Sequence, residues 1–177
     1  MNSISRRYNK YCGKENRIEE EKCPIIIKCG CPNSSQIITT FAELTSTATI
    51  AAVTIDKSCL CNPITKLEFT TNISTVDRGF AGTVSFRVFR QCQNEFVPVA
   101  VGPTWSSVIT AADTIIVSFF ICDSDSCEND CCTYTVVATA TAAVATSAGS
   151  VLFNNATLGA IATCKSNRCN ECKKDSY

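Results

Sequence analysis

Apolar and polar residues alternate with a period of two along nearly every segment between Pro24 and Cys164, as in residues 66–73 and 82–92. Successive side chains of a β-strand point to opposite faces, so this alternation predicts half-buried strands. No stretch sustains the 3.6-residue period of an amphipathic helix. About eight to ten short strands, punctuated by turn residues, predict an all-β fold with a single β-sandwich of the jelly-roll kind.

The alternation also predicts which side chains face the core. The expected inward residues of three strands are Thr49, Ala51, Val53 and Ile55, then Leu67, Phe69 and Ile73, then Val84, Phe86 and Val88. The segment 113–122 is apolar on both faces, which predicts a central strand. The segment 102–105, Gly-Pro-Thr-Trp, predicts a turn in which Trp105 packs against the core.

The chain divides into three parts by composition. Residues 1–22 are polar and charged, and they predict an N-terminal arm or connector that orders on a neighbouring subunit. Residues 23–164 form the β body, and residues 165–177 form a short C-terminal tail with two cysteines. A chain of 177 residues is long enough to bury a sizeable core without disulfides.

Charge and composition exclude several classes of function. The chain has 16 basic and 16 acidic residues, so nothing in it favours nucleic acid or an anionic membrane. It has no histidine, which removes Ser-His and Cys-His catalytic pairs and mixed Cys/His zinc sites. There is no glycine-rich phosphate loop or nucleophile elbow. We therefore expect neither an enzyme nor a bound cofactor.

Fourteen cysteines exceed what a core of this size needs and favour a durable, cross-linked product. The N-terminus has no apolar export signal and no segment is long enough to span a membrane. The cysteine surplus favours an oxidised protein, whereas the N-terminus does not favour export. Both observations fit a protein that is made inside a sporulating mother cell and released on lysis. The alternative is a thiolate-metal protein with zinc held by Cys164, Cys169 and Cys172, since Cys169-x-x-Cys172 has zinc half-site spacing.

Spacing constrains some of the thiols. Alternate residues share a strand face, so the two thiols of Cys29-x-Cys31 should project together, as should those of Cys59-x-Cys61. Adjacent Cys131 and Cys132 should point apart, because bonding them to each other needs a strained ring. The loop 122–132 is then interpreted as a staple that ties to the strands of Cys59 and Cys61 or of Cys92.

Several motifs together resemble a cysteine-rich domain of unknown function found in clostridial spore formers. They are Cys-Gly-Cys-Pro at 29–32, Lys-Leu-Glu-Phe-Thr at 66–70, Val-Phe-Arg-Gln-Cys at 88–92, Val-Gly-Pro-Thr-Trp at 101–105, Ser-Phe-Phe-Ile-Cys at 118–122, Cys-Cys-Thr-Tyr-Thr-Val at 131–136 and Asn-Asn-Ala-Thr-Leu-Gly-Ala at 154–160. More distantly, the chain resembles the endospore appendage subunits of bacilli. That resemblance implies a jelly roll with an N-terminal connector, whose cysteines bond to other subunits along a fibre.

The expected function is a structural subunit that self-assembles into a disulfide-cross-linked fibre or other polymer on the extracellular spore surface. Identical subunits would dock through the arm and the sheet edges, with spore-coat or exosporium proteins as possible anchors; a non-fibrous coat or adhesion module is a further alternative. The candidates for disulfides between subunits are Cys12, Cys23, Cys29, Cys31, Cys164, Cys169 and Cys172. The candidates within a subunit are Cys59, Cys61, Cys92, Cys122, Cys127, Cys131 and Cys132.

Overall fold

A computed structural model describes residues 23–60, 62–76, 80–93, 95–110, 114–124 and 131–165. These residues form nine β-strands and one short 3-10 helix, Ala145–Ser147. The strands are β1 Ile26–Cys29, β2 Asn33–Ile38, β3 Thr45–Asp56, β4 Pro63–Val76, β5 Gly82–Cys92, β6 Val99–Ile109, β7 Thr114–Asp123, β8 Cys131–Ala142 and β9 Ser150–Cys164. In these parts of the chain no helix is long and apolar enough to cross a membrane.

The strands form two antiparallel sheets that pack face to face. The first has the order β1-β9-β4-β7, with β2 also pairing to β9, and the second has the order β3-β8-β5-β6. Every connection from β2 onward crosses between the sheets except the one from β5 to β6, which joins neighbours in the second sheet. This topology is a jelly roll, which confirms the predicted fold class, and β1 and β2 together occupy the first strand position.

The strand directions bring many cysteines to one end of the sandwich. At this end β3, β5, β7 and β9 finish, and β4, β6 and β8 begin. We call it the cysteine end, because Cys59, Cys92, Cys122, Cys131, Cys132 and Cys164 all lie at or beside these strand ends. The loop between β7 and β8, rich in acidic residues, connects two strands there.

The core lies between the two sheets and contains the side chains that the alternation predicts for β4 and β5. Leu67, Phe69 and Ile73 are buried, as are Val84, Phe86 and Val88. In β3 the prediction is confirmed for Ala51, Val53 and Ile55, but Thr49 is exposed. The pairing of β3 with β8 shifts between Thr49 and Ala51, so Ile50 turns inward in place of Thr49.

The predicted turn at residues 102–105 is wrong, because this segment continues β6. Gly102 adopts φ 69°, a left-handed conformation that favours glycine. Phe86 pairs with Trp105 and Val88 with Val101, so three residues of β6 bulge opposite Arg87. Trp105 stacks on Phe119 of β7 with ring centroids 4.0 Å apart, which confirms the packing role expected for it.

The predicted central position of segment 113–122 is also wrong. β7 lies at the edge of the first sheet and pairs only with β4 among the described strands. Its outward side chains remain accessible, with Ile116 75% and Phe120 65% exposed. The outer face of β7 is apolar, and this pattern predicts burial on both faces of the strand. Nothing in the described part of the subunit covers the outer face.

Candidate functional site

The disulfide Cys92–Cys132 joins two neighbouring strands at the cysteine end. The two residues lie directly opposite each other in the pairing of β5 with β8, and both side chains face the core. The next pair along is hydrogen-bonded, since the Gln93 N–H donates to the Cys131 carbonyl. Cys92 and Cys132 are therefore a non-hydrogen-bonded pair, the kind in which opposing side chains come closest. This bond confirms the interpretation of the loop as a staple to Cys92.

The disulfide Cys23–Cys164 corrects the assignment of both residues to bonds between subunits. Residue 26 pairs with residue 162, so the chain just before β1 runs alongside the end of β9. The two Cα atoms are 5.8 Å apart, within the range of ordinary disulfides. This bond closes the β body near its two ends. Cys59 is disulfide-bonded as well, although it lies in the turn after β3 and not in the strand that its spacing suggested.

Among the residues that the structure describes, three cysteines are exposed free thiols: Cys29, Cys31 and Cys122. Cys29 ends β1 and Cys31 lies just beyond it, and their bonding to neighbouring subunits stays a prediction. Cys122 is a predicted candidate for a disulfide within the subunit, but in the structure it is free and exposed. Its side chain points away from the core because its neighbours Ile121 and Asp123 take the inward positions at the end of the edge strand β7.

Cys131 is half-buried whereas Cys132 is buried, so adjacent thiols point to opposite faces as predicted. Cys12, Cys61, Cys127, Cys169 and Cys172 lie outside the described residues.

A buried network of charged and polar side chains packs near the Cys92–Cys132 bond. Arg90 of β5 donates to both carboxylate oxygens of Asp123 on β7 at 3.2 and 3.1 Å, and to Glu95 at 2.9 Å. The Tyr134 hydroxyl of β8 donates to Asp123 at 2.8 Å and accepts from Lys57 at 3.3 Å. The network thus connects β5 and β8 of one sheet to β7 of the other.

The environment shifts two of these ionisation equilibria. Burial disfavours the charged form of Arg90, but its hydrogen bonds to Glu95 and Asp123 outweigh that penalty and raise its pKa. Burial also raises the pKa of the Tyr134 phenol, and the negative charge of Asp123 adds to the rise. Arg90 is therefore a permanent cation and Tyr134 a neutral donor, which suits a structural clamp.

Replacing Tyr134 by phenylalanine should change how the free energy of unfolding depends on pH in alkaline solution. The folded pKa of Tyr134 is raised above the value near 10 of an unfolded tyrosine, so its contribution is complete below about pH 10 and is lost as pH rises further. Between about pH 10 and 12, the free energy of unfolding of the natural chain should fall more steeply than that of Tyr134→Phe, by up to about 1.4 kcal/mol per pH unit. Urea titrations at several pH values measure the free energy of unfolding of both chains. The same decrease with pH in both chains would contradict the prediction.

Of the three candidate zinc ligands, the structure describes Cys164, which is not a free thiolate. Cys164 is bonded to Cys23, while Cys169 and Cys172 lie outside the described residues. Within the described ranges no group of three or more cysteine, aspartate or glutamate side chains could hold a metal ion.

The chain belongs to the family described as a domain of unknown function, DUF4489, whose profile matches residues 23–163. This range coincides closely with the β body. No curated protein sequence matches the chain.

Several solved structures are similar in fold. A protein of infectious bursal disease virus, Gx strain, has a TM-score of 0.48 at 10% identity, over 83% of this chain but only 33% of the viral one. An endospore appendage subunit of Bacillus, from a family described as disulfide-linked pili, has a TM-score of 0.36 at 12% identity, over 86% and 100% of the two chains. The tumour necrosis factor Eiger of S. frugiperda has a TM-score of 0.43 at 6% identity, over 83% and 98%.

Proposed function

We propose that this chain is a non-enzymatic structural subunit that self-assembles into a disulfide-cross-linked fibre on the surface of an endospore. The observation that carries the proposal is the division of its thiols. Cys23, Cys92, Cys132 and Cys164 are satisfied within the subunit, whereas Cys29, Cys31 and Cys122 are exposed and free. Exposed free thiols in a subunit whose described residues also contain disulfides favour bonds to other chains.

The edges of the sandwich support assembly by strand addition. Soluble β-proteins usually protect sheet edges with lysines, prolines or bulges. β7 has no charged residue before Asp123, and no register shift interrupts its pairing with β4. Exposed apolar side chains lie on both edge strands, with Val108 of β6 76% exposed and Ile116 and Phe120 of β7 75% and 65% exposed. Such an edge favours a neighbouring strand over solvent.

In the proposed assembly, subunits dock through sheet edges and are then locked by disulfides. Cys12 of the N-terminal region would bond to an exposed thiol of a neighbour, with Cys29 and Cys31 as candidates. Cys23 and Cys164 no longer serve this purpose, because they bond to each other. A covalent link makes dissociation depend on reduction, which gives kinetic resistance to heat and denaturant. The spore-surface location rests on the resemblance to spore proteins.

Electron microscopy and denaturing gels with and without reductant test this proposal. Filaments should survive detergent and heat without reductant and should fall to a single subunit band with it. A chain that runs as a monomer on a gel without reductant would refute the proposal. About one zinc per chain after anaerobic purification, with all fourteen thiols reduced, would instead support the thiolate-metal alternative.

A further inference from the structure

We infer that Cys29 of one subunit bonds to Cys122 of the next, where the edge strand β1 of one subunit pairs with the edge strand β7 of its neighbour. The inference rests on the proposed function and names the partner of a specific edge. Cys122 then links two subunits, and the strand that pairs with the outer edge of β7 comes from a second copy of this chain.

The two thiols lie on opposite edges of the same sheet and on the same face. The sheet order is β1-β9-β4-β7, and no described strand pairs with the outer edge of β1 or β7. Cys29 and Cys122 are both exposed, whereas Ile26 of β1 and Ile121 of β7 face the core. Both thiols therefore project from the outer surface of the sheet, each at an edge whose backbone groups can accept another strand.

The strand directions suit a head-to-tail contact. β1 is antiparallel to β9, β9 to β4, and β4 to β7, so β1 and β7 run in opposite directions. A neighbour displaced sideways without rotation then presents its β1 antiparallel to this β7, and the sheet continues from one subunit to the next. A contact between two different surfaces that does not close on itself generates an open filament.

In a neighbour displaced straight sideways, Ile27 would lie opposite Cys122, and Cys29 would lie two residues further along the same strand. One row across the sheet reads Ile27, Ile161, Lys66, Cys122, and the adjacent row on the same face reads Cys29, Gly159, Glu68, Phe120. Shifting the neighbour by two residues places its Cys29 opposite Cys122 and keeps every side chain on its proper face. Directly opposed residues of antiparallel strands have Cα atoms about 4.5–5.5 Å apart, a span that disulfides bridge.

The same geometry excludes this bond within a single folded subunit. β9 and β4 lie between β1 and β7, so the two edges are three strand spacings apart, roughly 14 Å. Disulfides rarely join Cα atoms more than about 7 Å apart. The reaction oxidises two thiols to one disulfide and releases two protons and two electrons, which molecular oxygen or a low-molecular-weight disulfide accepts.

The test uses the full chain, made once with natural isotopes and once with nitrogen-15, mixed in equal amounts before oxidation. After alkylation at low pH and proteolysis without reductant, mass spectrometry should find a peptide pair joining Cys29 to Cys122, with about half of the pairs containing one light and one heavy partner. Multimers that contain other linked peptides but not this one would overturn the inference and leave the proposed function intact. An absence of multimers would overturn both.

Cysteine variants provide a second readout on non-reducing gels. Cys29→Ser and Cys122→Ser should each reduce the covalent multimer, and the double variant should match the single variants because both lose the same bond. Cys31→Ser is the matched control, since Cys31 is also exposed but lies beyond β1, and it should leave the Cys29–Cys122 peptide in place. Additive losses from Cys29→Ser and Cys122→Ser would show that the two thiols have different partners and would overturn the inference.

Discussion

Asp123→Ala should lower the free energy of unfolding by about 3 kcal/mol, because it removes one of the two carboxylates that pair with the buried Arg90 and leaves Glu95 as the other. Asp123 is 4% exposed and Arg90 is 7% exposed. The carboxylate also accepts the hydroxyl proton of Tyr134, so its removal affects a second buried donor. Urea or guanidinium denaturation of chains kept monomeric by alkylation of their exposed thiols measures the loss.

Two further variants separate a buried charge from a general packing defect. Replacing the pair together, as Arg90→Met with Asp123→Leu, should recover part of the stability, because no unbalanced guanidinium remains but Tyr134 and Glu95 still lose their partners. Glu68→Ala breaks the ion pair with Lys66, which lies on the exposed face, and should leave the stability unchanged. If Asp123→Ala proves as mild as Glu68→Ala, the network is not the clamp described above.

The double variant Cys92→Ala with Cys132→Ala should lower the free energy of unfolding by about 2–4 kcal/mol. The bond spans a sequence separation of 40 residues, and the chain-entropy model gives about 4 kcal/mol for a loop of that length. Both side chains are buried, so alanine also leaves unfilled space in the core. Chemical denaturation measures the effect, with the exposed Cys29→Ala as a control expected within about 0.5 kcal/mol of the natural chain. Equal stabilities for the double variant and the control would contradict this account.

Much of the fold follows from the two-residue alternation alone. The alternation in β4 and β5 is uninterrupted, and its inward residues are correct at every position named. The jelly-roll class follows because short strands with frequent turns and no helical period leave few other architectures. The same alternation places Arg90 inward, two residues after Val88. It therefore already signalled a buried cation, but it could not identify Asp123 of another sheet as the partner.

The errors in the fold arise where a strand departs from regular pleating. One extra residue in a strand reverses the face of every side chain beyond it, so the bulge at Ile50 exposes Thr49. Gly102 and Pro103 are typical of turns, yet here they form a bulge inside β6. Local sequence does not distinguish a turn from a bulge, because the difference lies in whether a partner strand continues alongside.

A disulfide could be predicted from the sequence only where its two cysteines lie on strands that pair directly with each other. The sequence predicts that the loop 122–132 ties to Cys59 and Cys61 or to Cys92, and the bond from Cys132 to Cys92 is one of these alternatives. The bond between Cys23 and Cys164 depends on β1 lying beside the last strand, a contact across a sequence separation of 141 that spacing does not reveal. The exposure of Cys122 depends in turn on β7 being an edge strand.

Graded reduction of the assembled polymer under native conditions tests most directly whether exposed thiols, and not the internal pairs, link the subunits. Low concentrations of reductant should release monomers in which Cys23–Cys164 and Cys92–Cys132 remain oxidised, as shown by mass after alkylation without further reduction. Cys92 and Cys132 are 2% and 0% exposed, so the reductant should reach this pair last. Monomers that appear only as the internal pairs are lost would contradict the account, as would a chain that forms no covalent multimer before reduction.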